Sequence, residues 1–308
     1  MLTLADPADL GRPSAGVCMA LGMFDGVHLG HQHVVRQAVL DARALGAVPV
    51  AVTFHPHPLA VVHPERAPRL LQSPAQRLRA LAALGIDAAL LLRFDPDLAA
   101  IDGPGFIQRM ADGFGRLRSV TVGQGFHFGR GRTGNVPLLR TLGRTLGFAT
   151  HAVAPIHIGH ERVSSTRVRA ALREGRLGLA AELLGRPYAL GGVVVVGRQL
   201  GRRLGFPTAN VDVTGLELPP FGVYAARADI DGTRHRAVIN VGQRPTVEGG
   251  NPAPLLEVHL LDAHLDLYGR ELEVEPVRML RPERRFPSVE ALREQISRDA
   301  NAARDALD

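Results

Sequence analysis

The amino-acid sequence predicts an α/β domain with a doubly wound parallel sheet over residues 1–185. An antiparallel β domain, barrel or sandwich, with a terminal helix follows over residues 186–308. Three observations carry this. The length, 308 residues, is large for one ordinary domain and suits two. In the first part, runs that are apolar throughout alternate with amphipathic runs, as they do where a parallel sheet is buried on both faces. After Leu184 the strand-like runs follow one another at short spacing, with turn residues between them.

Taken in order, GVCMALG reads as a strand and HQHVVRQAVLDARALG as a helix. VPVAVTF is a strand, and SPAQRLRALAALG is a helix with serine as its N-cap. DAALLLRF, SVTVGQ and ATHAVAPI are further strands, separated by the helices PGFIQRMADGF and NVPLLRTLGRTLG. SSTRVRAALREG and GLAAELLG close the domain as helical pieces. GRPYALGG packs Gly and Pro closely and marks the boundary. Beyond it lie GGVVVVG, FGVYAARADI, HRAVINVG, LLEVHLL and ELEVEPVRML, with Asp231-Gly232 as a hairpin turn. SVEALREQISRDANAARDAL is a serine-capped helix.

Composition narrows the function. The chain is 45% hydrophobic and 21% charged, and no apolar stretch is long enough to span a bilayer. The start, MLTLADPADLGRPSAG, has neither the basic opening nor the apolar core of a secretory signal. One cysteine, Cys18, excludes an internal disulfide framework and suits a reducing cytoplasm, the expected location. The formal charge is +6, but all 36 basic residues are arginine, scattered among acids, and tryptophan is absent. The expectation is therefore no nucleic-acid partner and no membrane. The lack of lysine excludes a Walker A loop and Schiff-base chemistry.

MFDGVHLGHQHVV, residues 23–35, points to phosphate. It joins the carboxyl end of the first strand to a helix start, where open α/β sheets place ligands and where free N–H groups attract anions. Gly22, Gly26 and Gly30 permit a close backbone approach. His28 and His31, three apart, would sit on one side of a helix start and offer imidazole N–H donors. Ordinary surface or capping histidines are the plainer alternative. A second set is ERVSSTRVR, where Ser164, Ser165 and Thr166 either cap a helix or, with Arg162, Arg167 and Arg169, hold a polyphosphate.

H-x-G-H with SSTRVR downstream resembles the nucleotidyltransferase superfamily. GMFDGVHLGHQ, TFHPHP, VGQGFHFGRGRTGN and RVSSTRVR, followed by GRRLGFPTANV, FGVYA, INVGQRPT, LEVHLLD and LYGRELEV, resemble the bacterial bifunctional riboflavin kinase/FAD synthetase family, in order and along nearly the whole chain. The resemblance implies a Rossmann-like adenylyltransferase domain that makes FAD and pyrophosphate from FMN and ATP. It implies a β-barrel kinase domain that makes FMN and ADP from riboflavin and ATP, with Mg²⁺ serving both. By similarity, His28 and His31 bind ATP phosphates and stabilise the transition state, and Arg162, Ser165, Thr166 and Arg169 hold the polyphosphate. Gly22, Phe24, Asp25 and Gly26 shape the nucleotide pocket.

In the kinase half the resemblance makes GRRLGFPTAN the ATP and metal loop. Thr208 and Asn210 are its Mg²⁺ ligands, Gly201, Gly205 and Pro207 fix the loop, and Glu257 is the general base. A ligand-free Gly/Pro-rich hairpin and a solvent-facing strand glutamate are the plainer readings of those residues. One departure concerns VGQGFHFG: the family usually carries Asp or Asn where Gly125 stands, and Arg is common at His127. A riboflavin kinase with weak or lost adenylyltransferase activity is therefore the second reading. A flavin- or RNA-binding regulator is a third, opposed by the intact H-x-G-H, Thr208, Asn210 and Glu257. TFHPHP, with His55 and His57, is expected to be an extended loop bordering a pocket rather than a metal site. A monomer or weak homo-oligomer is expected.

Overall fold

The computed structural model describes residues 1–196, 205–244, 253–263 and 265–308. By contacts the chain divides into two compact units, Met1–Arg69 with Pro74–Ser165, and Leu70–Ser73 with Thr166–Asp308. Each is built differently. No helix among the described residues is long and apolar enough to cross a membrane.

The first unit runs β1 (Leu2–Leu4), β2 (Val17–Leu21), α1 (Leu29–Leu45), β3 (Val48–His55), α2 (Pro58–Val62), α3 (Pro74–Ala83), β4 (Ala88–Arg93) and α4 (Pro96–Ala100). It continues with α5 (Gly103–Phe114), β5 (Leu117–Gly123), α6 (Val136–Leu146), β6 (Ala149–Val153) and the short pair β7 (His157–Ile158) and β8 (Glu161–Arg162). The six-stranded sheet has the order β1-β4-β3-β2-β5-β6 and is parallel throughout. Every residue of β2 is buried, as the uninterrupted apolar run requires at the sheet centre. The chain leaves β2 towards β3 on one side and returns to β5 on the other. The strand order reverses there, and the carboxyl ends of β2 and β5 open on the resulting crevice.

Polar side chains start most helices. Asp95, Asp102 and Asn135 cap α4, α5 and α6 by accepting from backbone N–H groups. Several short elements escape the periodicity argument, among them β7 and β8 with two residues each. β1 is a three-residue edge strand, and α2 and α4 have five residues each, too short to show a period. Of TFHPHP, expected to be an extended loop, Thr53 to His55 finish β3 and only Pro56 and His57 lie between that strand and α2. Pro58 takes the first helical position and His57 Nδ1 accepts from Leu59 N at 3.1 Å.

The second unit begins with α7 (Ser165–Arg173, whose first residue belongs to the first unit) and α8 (Leu177–Leu184). It goes on through β9 (Leu190–Val195), β10 (Ala209–Val211), β11 (Gly222–Ile230), β12 (Thr233–Arg244), β13 (Ala253–Leu260), β14 (Glu271–Pro282) and α9 (Val289–Leu307). The strands close as a barrel in the order β10-β13-β12-β11-β14-β9, which decides between barrel and sandwich. Asp231 and Gly232, at φ 51° and 81°, make the tight turn between β11 and β12. Leu190, Tyr224, Ile239, Val241, Leu256 and Val274 fill the interior and are almost wholly buried. β9 passes so close to its neighbour at Gly192 that a Cβ there would lie 2.0 Å from the Asp212 carbonyl oxygen.

Ser288 caps α9, which lays Ala303 and Leu307 against Ala225 of β11. Arg281 and Asp299 fasten this helix with a bidentate pair, Nε to the two carboxylate oxygens at 3.1 and 3.0 Å and Nη2 to one at 2.8 Å. Arg173 of α7 makes a similar fork with the buried Glu217, at 3.0 and 2.6 Å.

Tyr224 is 1% exposed and donates its hydroxyl to the Pro220 carbonyl at 2.5 Å; burial pushes its pKa up to about 12. Between pH 10 and 12 the folded state holds a proton that the unfolded state releases. This stabilisation is complete below pH 10 and lost as pH rises towards 12. Tyr224→Phe is expected to flatten the fall of unfolding free energy across that window, and to cost about 1 kcal/mol at neutral pH through the lost hydrogen bond. Urea titrations at stepped pH measure both.

Candidate functional sites

In the first unit, the loop from Gly22 to His28 lies at the carboxyl end of β2 and is fastened carbonyl by carbonyl. Met23 O accepts from Arg77 Nη1 and from Thr53 Oγ1, both at 2.8 Å. Phe24 O accepts from Val27 N at 3.1 Å. Asp25 O accepts from Ser165 Oγ at 2.9 Å. Val27 O accepts from Gln32 Nε2, and His28 O from Gln32 N, both at 3.0 Å. The fastening holds an unusual backbone: Phe24, Gly26 and Val27 all have positive φ, 50°, 82° and 40°. For β-branched Val27 that is a costly conformation, of the kind found at functional sites.

His28 is the N-cap of α1. Its Nδ1 accepts from His31 N at 3.3 Å, which assigns the ring proton to Nε2. The His28 and His31 rings stack at 3.6 Å between centroids, and the Phe24 ring meets His31 edge-on at 5.5 Å. Gly30 makes room for this. A Cβ there would lie 3.2 Å from His28 Cε1. Asp25 is 3% exposed and Gly22 and Gly26 are buried.

Arg77, on α3, escaped the sequence reading, which saw only an amphipathic helix. It is 2% exposed. Besides Met23 O it reaches Thr53 Oγ1 at 3.3 Å and Phe54 O at 3.1 Å, tying the ends of β2 and β3 together. Burial pushes its pKa down and the charge of Asp25 opposes that. Burial, and then the Arg77 charge, push His55 below its ordinary value, so that ring is neutral at neutral pH. An arginine at an apolar position of a helical period is the one sign that a sequence offers of such a residue.

Arg162 is exposed on β8, and a Cβ on Gly125 would come no closer than 3.7 Å to its Nη1. The loop after β5 thus brings Gly125 beside Arg162. Ser165 starts α7, with its hydroxyl donated to the β2 loop. Thr166 is exposed and Arg169 is 7% exposed, both in the second unit.

In the barrel, two clefts flank the segment entering β10. One, about 540 Å³, is lined by Glu257, Asn240, Thr208, Glu283 and the apolar Val223, Val238, Leu292 and Ile296, with the rings of Phe206 and Phe286. The other, about 530 Å³, is lined by Pro207, Thr208, Ala209, Val258, Leu267 and Tyr268. Thr208 belongs to both. His259 Nδ1 is 2.9 Å from Pro207 O and its ring meets Phe206 edge-on at 5.6 Å, which fixes the segment between the clefts. Glu257 lies between buried Leu256 and Val258 and points the other way, as alternation requires. Asn210 is 8% exposed and stands directly opposite Glu257 in the ladder. Gly205 has φ 88° just before this segment; Gly201 lies outside the described residues.

Comparison with known proteins agrees with both halves. The FAD synthetase family model matches residues 12–167 and the riboflavin kinase family model residues 184–307. The first match runs across Gly125, which removes the ground for reading the chain as a kinase alone. The chain is 40% identical to the bifunctional riboflavin kinase/FMN adenylyltransferase of Escherichia coli K12, over 95% of this chain and 93% of that one. It is 42% identical to the protein of the same name in Pseudomonas fluorescens, over 95% and 94%, and 34% identical to that of Bacillus subtilis, over 92% and 90%. A solved structure described as a macrolide-efflux protein from Streptococcus pneumoniae superposes with a TM-score of 0.81 at 27% identity, over 99% of each chain. On the two family models and on this identity along nearly the full length, the chain belongs to the bifunctional riboflavin kinase/FMN adenylyltransferase family.

Proposed function

We propose that this chain phosphorylates riboflavin to FMN in its barrel domain, residues 186–308, and adenylylates FMN to FAD in its α/β domain, residues 1–185. The observation that carries the proposal is the presence on one chain of two differently built candidate sites. One is an H-x-G-H loop fastened at the crevice of a parallel sheet, and the other is a pair of clefts meeting at Thr208 beside Glu257.

In the kinase step a ribityl hydroxyl oxygen attacks the γ-phosphorus of ATP, the bond to the bridging oxygen breaks and ADP leaves. Glu257 accepts the hydroxyl proton. The cleft with Glu257 has apolar walls and two aromatic rings that suit the flavin ring system. The other takes the nucleotide, so that the phosphoryl group passes at Thr208. Thr208 and Asn210 supply hard oxygen donors at the entry to β10, a set that fits Mg²⁺. That ion, when bound, offsets phosphate charge in the transferring state.

In the adenylylation step an FMN phosphate oxygen attacks the α-phosphorus of a second ATP and pyrophosphate leaves with the bond electrons. His28, with its proton on Nε2, and His31 donate to phosphate oxygens where charge builds. Arg162, Thr166 and Arg169 hold the polyphosphate, Phe24 and Asp25 shape the nucleotide pocket, and Ser165 steadies the loop it is bonded to. The reading includes a cytoplasmic location, consistent with the lone buried Cys18, and a monomer or weak homo-oligomer.

Incubation with riboflavin and MgATP, followed by chromatography of the flavins, tests the whole. FMN is expected to rise and then give way to FAD, and a chelator to stop both conversions. FMN that accumulates while FMN and ATP supplied directly yield no FAD would remove the adenylylation half.

Two variants separate the halves. Arg77→Met removes one of the two donors to Met23 O and the guanidinium donor to Phe54 O, and Gly30→Ala crowds the His28 ring. Each is expected to lower adenylylation by about tenfold or more. Riboflavin phosphorylation by the same molecules serves as the control and is expected to stay within about twofold. Equal losses in both activities would mean that the substitutions act through general unfolding.

A further inference from the structure

We propose that Asp299 is a positioning residue for riboflavin recognition. With Arg281 it clamps the front of α9 against β14, and through Gln295, Arg284 and the ring of Phe286 it sets one wall of the cleft beside Glu257. The inference rests on the reading of that cleft as the flavin site.

The burial pattern of α9 provides the first observation. The helix runs for 19 residues, yet none of its first ten, Val289 to Arg298, is buried. Asp299, Ala300, Ala303 and Leu307 are buried. The back half packs on the barrel, with Ala303 and Leu307 against Ala225. The front half leaves Leu292 and Ile296 open to the cleft. Leu292, Gln295, Ile296 and Asp299 follow the spacing of one helix face. Asp299 therefore stands where the packed half ends and the cleft wall begins, and the first buried residue of the helix is a charged one.

The second observation is what that carboxylate holds. Besides the fork from Arg281, it accepts from Gln295 Nε2 at 2.7 Å, one turn earlier on the helix. Gln295 Oε1 in turn accepts from Arg284 Nη2. The guanidinium carbons of Arg281 and Arg284 lie 5.5 and 4.8 Å from the centroid of the Phe286 ring. One carboxylate thus orients two guanidinium groups, the first directly and the second through an amide, and both meet the same ring. Residues 283–288 belong to no helix or strand, so side-chain contacts rather than a ladder decide where that ring stands.

Phe286, Arg281, Arg284 and Asp299 all line the cleft that holds Glu257, together with Phe206. A flat, rigid ring system gains most from an aromatic wall already in place, because its binding then has little left to order. The clamp supplies that wall. Its loss is therefore expected to weaken flavin binding and to leave the transfer step alone.

The test measures riboflavin phosphorylation by the full chain in Asp299→Asn, Phe286→Leu, the two combined, and Leu307→Ala. Asp299→Asn keeps the shape but removes the charge that holds the fork. It is expected to raise the KM for riboflavin about tenfold, with kcat and the KM for MgATP within about twofold. Phe286→Leu is expected to do the same, and the combined variant to be no worse than either alone, since both act on one ring. Leu307→Ala loosens the packed half of α9 and is expected to lower the melting temperature with an unmoved riboflavin KM. If Asp299→Asn unfolds, Arg281→Met combined with Asp299→Leu removes the clamp without stranding a buried charge, and the same rise is expected of it. A folded clamp variant with an unmoved riboflavin KM, while Phe286→Leu raises it, overturns the inference and leaves the flavin cleft standing. KM values for riboflavin and MgATP that rise together, an equal rise in Leu307→Ala, or effects that multiply in the combined variant also overturn it. A Phe286→Leu enzyme with a raised KM for MgATP and an unmoved one for riboflavin overturns the cleft assignment and the inference with it.

Discussion

The α/β half depends on one buried cation. Arg77 is closed off from water, and burying a guanidinium is expensive unless its donors are met. Here the Nη1 and Nη2 donors are met by the carbonyls of Met23 and Phe54 and by the Thr53 hydroxyl, Nε has no partner among the described residues, and Asp25 is the nearby countercharge. The same bonds that satisfy the arginine fasten the end of β2 to the end of β3. A loop with positive φ at Phe24 and Val27 would relax if left alone. Its carbonyls are instead held by Arg77, Thr53, Ser165 and Gln32, and the His28 cap then starts α1 at a defined place. The position of the histidine pair is a consequence of this fastening more than of the histidines themselves.

The barrel half reaches comparable rigidity through register. Glu257 is flanked by amides because β13 pairs with β10 and β12 at that residue. A slip of one residue would turn Glu257 into the barrel and Leu256 out into the cleft. The fully buried Leu256, Val258, Ile239 and Val241 forbid the slip. Hydrophobic packing inside thus fixes the polar row outside, to within the spacing of a pleat.

This contrast explains what was legible in the sequence. The alternation of apolar and amphipathic runs located the large strands and helices, because periodicity survives wherever an element is long. β1, α2 and α4 escaped because three or five residues carry no period, and β10 because its pairing depends on residues far along the chain. Among residues of the candidate site, the positions of those on motifs with local chemistry were legible: His28 and His31 at a strand-to-helix turn, and Ser165 at a helix start. Arg77 was not, because its partners Met23, Thr53 and Phe54 are distant in sequence. Gly125 is the reverse case. The departure was visible, but its place beside Arg162 was not.

The absence of lysine ties the two sites together chemically. A flexible ammonium point charge, the usual partner of a nucleotide phosphate, is not available anywhere in this chain. In the proposed reading the adenylylation site answers with backbone and imidazole donors at a helix start, joined by the guanidinium groups of Arg162 and Arg169. In the proposed kinase step the barrel would answer with oxygen donors at Thr208 and Asn210, which suit a hard metal ion. Dipoles of this kind act only when they are aimed, since they do not follow the ligand as an ammonium on a four-carbon stem does. Preorganisation is then a requirement of the chemistry rather than a refinement of it. In that reading the residues which fasten the first loop, Arg77 and Gly30, bear on phosphate transfer as much as the groups that touch phosphate.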